Sequence, residues 1–159
     1  METAYLAAGC FWGVQQVFDQ VEGVKETTVG YMGGRTENPT YKQVCYEETG
    51  HAEVLEIKFD PAEVSYEKLL EIFFKIHNPT TLNRQGPDVG SQYRSAIFVT
   101  SADQEVLAKN TIEHLERQEV FKDPIVTQIN GPATFWKAEE YHQKYFEKNG
   151  GGACHILPK

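Results

Sequence analysis

The chain has 159 residues, 40% of them hydrophobic and 24% charged, the mix of an ordinary folded domain and far from that of a disordered or fibrous chain. Fifteen Lys and Arg stand against 23 Asp and Glu, a net charge of -8, which repels phosphate backbones and anionic lipid and excludes nucleic acid and membrane surfaces as expected partners. One domain over 1–159, acting as a monomer, is the expectation for this length.

Met1-Glu2-Thr3 has no basic cluster, and Ala4 to Ala8 is too short for the apolar core of a signal peptide. That run reads as a strand ending at Gly9. Val14, Val17, Phe18 and Val21 then fall at i, i+3, i+4, i+7 and predict a helix. Val24 to Tyr31 is β-branched and bounded by Gly33-Gly34, and Glu53, Leu55, Ile57 and Phe59 alternate with Val54, Glu56 and Lys58, giving two more strands. Ser65 caps a predicted helix that carries Leu69, Ile72, Phe73 and Ile76 and is stopped by Pro79. Ala96 to Val99 is the next strand. The order β-α-β-β-α-β predicts an α+β fold, the two-layer ferredoxin-like plait. A third helix opens with the capping box Ser101-x-x-Gln104 and turns Ala108, Ile112 and Leu115 inward, before Asp123-Pro124 breaks to the apolar run Ile125–Ile129. These are additions to the plait. Segments 30–50 and 78–94 are long polar connections, and loops of that length usually carry function. The tail from about 147 is expected to be flexible, because of Gly150-Gly151-Gly152.

Three cysteines cannot all pair within one chain, and at this size no disulfide framework is needed, so reduced thiols in the cytoplasm are expected. Cys10 lies between a strand end and a helix start, where unpaired N–H groups and the helix dipole lower a thiol pKa. A buried core cysteine is the competing reading. Phe11 and Trp12 beside it can build an apolar slot around a reactive atom, or simply pack. Cys154, beyond three glycines, reads as a thiol able to swing over several ångström, or as terminal disorder. Cys45 reads as a small buried hydrophobe without a role. No spacing among Cys10, Cys45, Cys154 and His155 matches structural zinc, so no metal is expected. His51 or His77 as a base for Cys10 would make an acyl transferase instead.

Period two places Glu53 on the strand face of Leu55, Ile57 and Phe59. Burial there raises a carboxyl pKa and leaves a general acid near neutral pH. A strand-end Glu reaching solvent is the alternative.

Gly9-Cys-Phe-Trp-Gly13 resembles the catalytic signature of the A-type peptide methionine sulfoxide reductases. Gly30-Tyr-Met-Gly-Gly34, Asn38-Pro-Thr-Tyr41, Thr49-Gly-His-Ala-Glu-Val54, Asn78 to Gly86, Asp88 to Ser95 and Ala138 to Gln143 resemble that family in order and spacing, over roughly residues 5 to 145. The resemblance implies Cys10 as nucleophile, Glu53 as the acid that protonates the sulfoxide oxygen, and Tyr41 and Tyr93 as hydroxyls holding that oxygen. It also implies Phe11 and Trp12 around the substrate methyl group and Asp88 on the substrate backbone. Attack leaves a sulfenic acid on Cys10, which Cys154 resolves as a disulfide, with Cys45 as fallback. The resemblance further implies thioredoxin as the partner, dithiothreitol as a substitute reductant, no bound cofactor, the S epimer as substrate, and repair of oxidised proteins.

Overall fold

The computed structural model describes residues 1–150. Its elements in chain order are β1 (Glu2–Ala8), α1 (Phe11–Phe18), β2 (Val24–Met32), α2 (Tyr41–Tyr46), β3 (Ala52–Phe59), α3 (Tyr66–Lys75), β4 (Arg84–Gln85) and β5 (Asp88–Val89). A 3-10 turn at Ser91–Tyr93 leads to β6 (Ser95–Phe98), α4 (Ala102–Arg117), β7 (Gln128–Asn130), β8 (Trp136–Lys137), a second 3-10 turn at Glu140–His142 and α5 (Tyr145–Asn149). Six strands form one mixed sheet in the order β7-β6-β1-β3-β2-β8. β6 and β7 run parallel, and the other neighbours are antiparallel.

The sheet pleat sorts the core into two faces. Leu55 and Ile57 of β3 turn toward a large apolar cluster with Phe11, Val14 and Phe18 of α1 and with Leu69 and Phe73 of α3. Ala52 and Val54 alternate with them and join Met32, Ala96 and Phe98 on the reverse face. α1 is buried on more than its apolar stripe, since Gly13 and Gln15 are buried too. The chain around 138–146 explains this by covering the other side: the Lys144 N–H donates to Gln15 Oε1 at 2.7 Å, and Gln15 Nε2 donates to Thr27 Oγ1 at 3.3 Å.

Several local expectations need correction. α1 ends at Phe18 rather than reaching Val21, because the Val21 N–H closes a tighter turn on the Phe18 carbonyl at 3.1 Å; Val21 still packs on the core. α3 ends at Lys75, ahead of Pro79, with the His77 ring bonded to the Phe73 carbonyl. At α4 the capping box is only half made. Ser101 Oγ accepts from the Gln104 N–H, but Gln104 Oε1 accepts from the Thr100 N–H, and its amide donates to the Thr3 carbonyl. The complete box stands instead at Thr40 and Gln43, which start α2 inside the segment expected to be a plain loop. Only Gln128–Asn130 of the run after Pro124 becomes strand, β8 was not foreseen, and the stretch from 147 begins within α5 rather than as a loose tail. Cys154 and His155 lie outside the described residues.

Candidate active site

β1 delivers the chain to Gly9, whose φ of 94° is a left-handed turn that suits glycine. Cys10 then becomes the N-cap of α1 with φ -56° and ψ 117°, and makes no side-chain cap. Its carbonyl accepts from the Val14 N–H at 3.4 Å, while its thiol is half-buried. The sulfur therefore sits at the positive end of α1, an environment that favours thiolate over thiol.

Glu53 faces Tyr31 across the β2–β3 ladder and is 2% exposed. Its Oε1 accepts from the backbone N–H of Phe11 at 3.2 Å, the residue next to Cys10, while its Oε2 is buried without a partner. Burial pushes the carboxyl up to about 8; the Phe11 N–H opposes that and the Asp88 charge adds to it. At neutral pH the group keeps a proton to give.

Tyr41 opens α2, with Cys45 one helical turn on. Burial pushes the Cys45 thiol up, and the nearby Tyr41 and Tyr93 hydroxyls oppose that. Burial likewise raises both tyrosines, and the Glu53 charge adds to each. Both hydroxyls thus stay protonated donors. Tyr93, at the end of its 3-10 turn, is also raised by Asp88 and Cys10, so it stands within electrostatic reach of the thiol and the acid. Cys45, read from the sequence as a buried hydrophobe, is instead half-buried between the two hydroxyls. Asp88 pairs with Gln85 in the β4–β5 hairpin, close enough to raise Glu53.

The Phe11 ring lies 5.7 Å from Tyr31 and 6.5 Å from Tyr41, and Trp12 lies 6.2 Å from Tyr41. The sequence reading assigned nothing to the groups that fix these rings. Trp12 Nε1 donates to His142 Nδ1 at 3.0 Å, and the Tyr145 ring stacks on Trp12 at 3.8 Å and 8°. Burial lowers the His142 pKa, so the ring is neutral with its proton on Nε2, which is buried without a partner. Glu139 accepts from the Tyr31 hydroxyl and from the Tyr41 N–H, each at 3.0 Å.

Both candidate bases have other partners. His51 accepts from the Gly34 N–H and pairs with the Thr36 carbonyl; His77 is held by the Phe73 carbonyl and Ser95 Oγ. Among the described residues no group of three His, Cys, Asp or Glu side chains could hold a metal ion, and no helix is long and apolar enough to cross a membrane.

The cap of α2 supports the site without entering it. Thr40→Ala removes one half of the box and is expected to cost about 1 kcal/mol, a fall of about 2–4 °C in melting temperature. Because α2 holds Tyr41, turnover at the site should fall too, by no more than about tenfold. Calorimetry and a steady-state assay on the same sample check both.

Residues 2–159 match the family model described as peptide methionine sulfoxide reductase. A peptide methionine sulfoxide reductase MsrA of Methanoculleus marisnigri is 55% identical over 157 residues, covering 99% of this chain and 96% of that protein. The crystal structure of Mxr1 from Saccharomyces cerevisiae in reduced form superimposes with a TM-score of 0.88 at 38% identity, covering 99% of this chain and 92% of that one. Mxr1 in complex with Trx2 superimposes with a TM-score of 0.64 at 26% identity, covering 99% and 90%. The chain therefore belongs to the peptide methionine sulfoxide reductases of the A type, oxidoreductases that reduce methionine sulfoxide.

Proposed function

We propose that this chain reduces the S epimer of methionine sulfoxide, free or in proteins, with Cys10 as nucleophile and Glu53 as acid. The observation that carries the reading is the Glu53 carboxyl, held through Oε1 on the Phe11 N–H beside Cys10, with Oε2 unpaired and the pKa raised to about 8. The Cys10 thiolate attacks the sulfoxide sulfur while Glu53 gives its proton to the oxygen, and Tyr41 and Tyr93 donate to the same oxygen. The bond formed between the two sulfurs and the S–O bond then both break as the hydroxyl passes to the Cys10 sulfur. The products are methionine, reduced by two electrons, and a Cys10 sulfenic acid, oxidised by two. Phe11 and Trp12 flank the methyl group, and Asp88 binds the substrate backbone.

The Cys154 thiol then condenses with the sulfenic acid, releasing water and forming a disulfide that a dithiol reduces. The complex of the yeast relative with Trx2 supports thioredoxin as that dithiol, and dithiothreitol substitutes for it. No bound cofactor takes part. Protein repair in a reducing cytoplasm, by a monomer, completes the proposal. So does the ferredoxin-like plait, supported by the neighbour order β6-β1-β3-β2 and by α1 and α3 sharing one core face.

The test separates the two half-reactions. Cys154→Ser should reduce about one sulfoxide per enzyme in a burst and then stall with thioredoxin as reductant, with one thiol fewer after the burst. Sustained thioredoxin-dependent turnover would move resolution to Cys45 or to direct attack by the reductant. Failure of the burst itself would reject the assignment of Cys10.

A further inference from the structure

A cavity of about 540 Å³ opens on the side of the sheet away from Cys10, lined by Arg94, Asn83, Ser91, Gln128, Asn130 and Phe98 among others. Its place follows from the pleat. Phe98 belongs to the reverse-face cluster with Met32 and Val54, whereas Glu53 shares the alternation of Leu55 and Ile57 on the α1 face. Arg94 is only 9% exposed, yet among the described residues no carboxylate pairs with it and no acidic residue lines the cavity. Burial holds its pKa below the usual guanidinium value. A guanidinium cannot shed its charge at neutral pH, so its burial needs compensation.

The hydrogen bonds present supply part of it. Arg94 Nε donates to Gln128 Oε1 at 3.0 Å, and Nη1 donates to the Ser91 carbonyl at 2.9 Å. Both acceptors are neutral, and Nη2, which lies against Gly33, donates to nothing among the described residues, leaving its protons for an oxygen of a carboxylate or phosphate. Asn130 stands beside Arg94, with its amide 3.5 Å from the same Gln128 oxygen. Asn83 also lines the wall. A further cation stands near the cavity wall, because a Cβ built on Gly50, which lines the cavity, would lie 3.4 Å from Arg35 Nη1. In a chain of net charge -8, a basic, acid-free cavity is a local reversal of sign.

We infer that the Arg94 cavity is a binding site for an oxyanion, a carboxylate or phosphate group, separate from the sulfoxide site and on the reverse face of the sheet. The anion docks on Arg94 Nη2, with the Asn130 amide as a further donor. Since Arg94 follows Tyr93 and is tied to the turn through the Ser91 carbonyl, an occupied site also stiffens the 3-10 turn that presents Tyr93.

The full-length reduced protein is titrated with sodium phosphate, and in a second arm with sodium acetate, against sodium chloride at equal ionic strength. The readout is the backbone amide resonances of Gly33, Gly50 and Gly131. The expected result is a saturable shift at these three with at least one oxyanion and none with chloride, lost in Arg94→Gln. Removing a buried side chain can unsettle the fold, so Asn130→Asp is the second variant. It supplies the missing carboxylate from within, and should abolish the shift and raise the melting temperature by about 2 °C or more at low salt. The inference is overturned by linear, chloride-like shifts in the parent, or by shifts that persist in Arg94→Gln. An Asn130→Asp protein that titrates and melts like the parent also overturns it.

Discussion

Cys10→Ser should lose sulfoxide reduction down to the uncatalysed background, with dithiothreitol as well as thioredoxin, while the folded protein becomes no less stable. The first half follows from the thiolate's role as the atom that accepts oxygen: a serine hydroxyl at a helix start remains protonated at neutral pH and cannot be carried through a sulfenic acid. The second half follows from geometry. Cys10 occupies the N-cap of α1 without a side-chain cap bond, and serine is among the preferred N-caps because its oxygen accepts from the first turn. The substitution therefore exchanges a functional group for a better cap, worth up to about 1 kcal/mol, or about 2–4 °C in melting temperature. Product quantified after prolonged incubation and a thermal melt decide the two parts independently. Residual turnover of a few per cent of the parent would remove Cys10 from the reaction. A melting temperature lowered by several degrees would mean the sulfur also holds the fold.

That residue illustrates what a sequence discloses. The placement of Cys10 was legible because a strand, a glycine and a helical period follow one another with nothing between them. Glu53 was legible for a similar reason, since alternation over Glu53 to Phe59 states which residues share a face. The reverse-face cluster is the other half of that alternation. The supporting residues carry no such period. His142 and Tyr145 sit in a 3-10 turn and a five-residue helix, and they reach Trp12 across 130 and 133 positions of chain. Nothing local marks Tyr145 as the ring that will stack at 3.8 Å on an indole. Cys45 misled for a different reason: a single cysteine in a short helix looks apolar until the fold brings Tyr93, 48 residues on, to its thiol. The α2 cap shows the limit of motif reading, because Thr40 and Gln43 form the full box while the more conspicuous Ser101 and Gln104 complete only half of it.

Glu53→Gln should slow the single-turnover reduction by about 10²-fold or more and also change how stability depends on pH. The amide can still donate a hydrogen bond to the sulfoxide oxygen but has no proton to transfer, so the loss belongs to the chemical step rather than to binding. In the parent, the acid must be protonated. With its pKa pushed up to about 8 by burial, the rate should fall as pH rises through about 8. The variant should lack that limb, and a parent profile without it would remove Glu53 from the acid role. The same shift has a thermodynamic counterpart. Between the ordinary carboxyl value of 4.5 and about 8, the folded state holds a proton that the unfolded state has released. The stability contribution of Glu53 is therefore fully present below about 4.5, declines as pH rises, and is gone above about 8. Glu53→Gln has no charge to bury, so parent and variant should diverge in melting temperature with rising pH, the variant gaining, and the gap should stop widening above about 8. Equal slopes in the two proteins would mean that Glu53 ionises as an exposed carboxylate does, and a proton donor for the sulfoxide oxygen would have to be found elsewhere, with the Tyr41 and Tyr93 hydroxyls first in line.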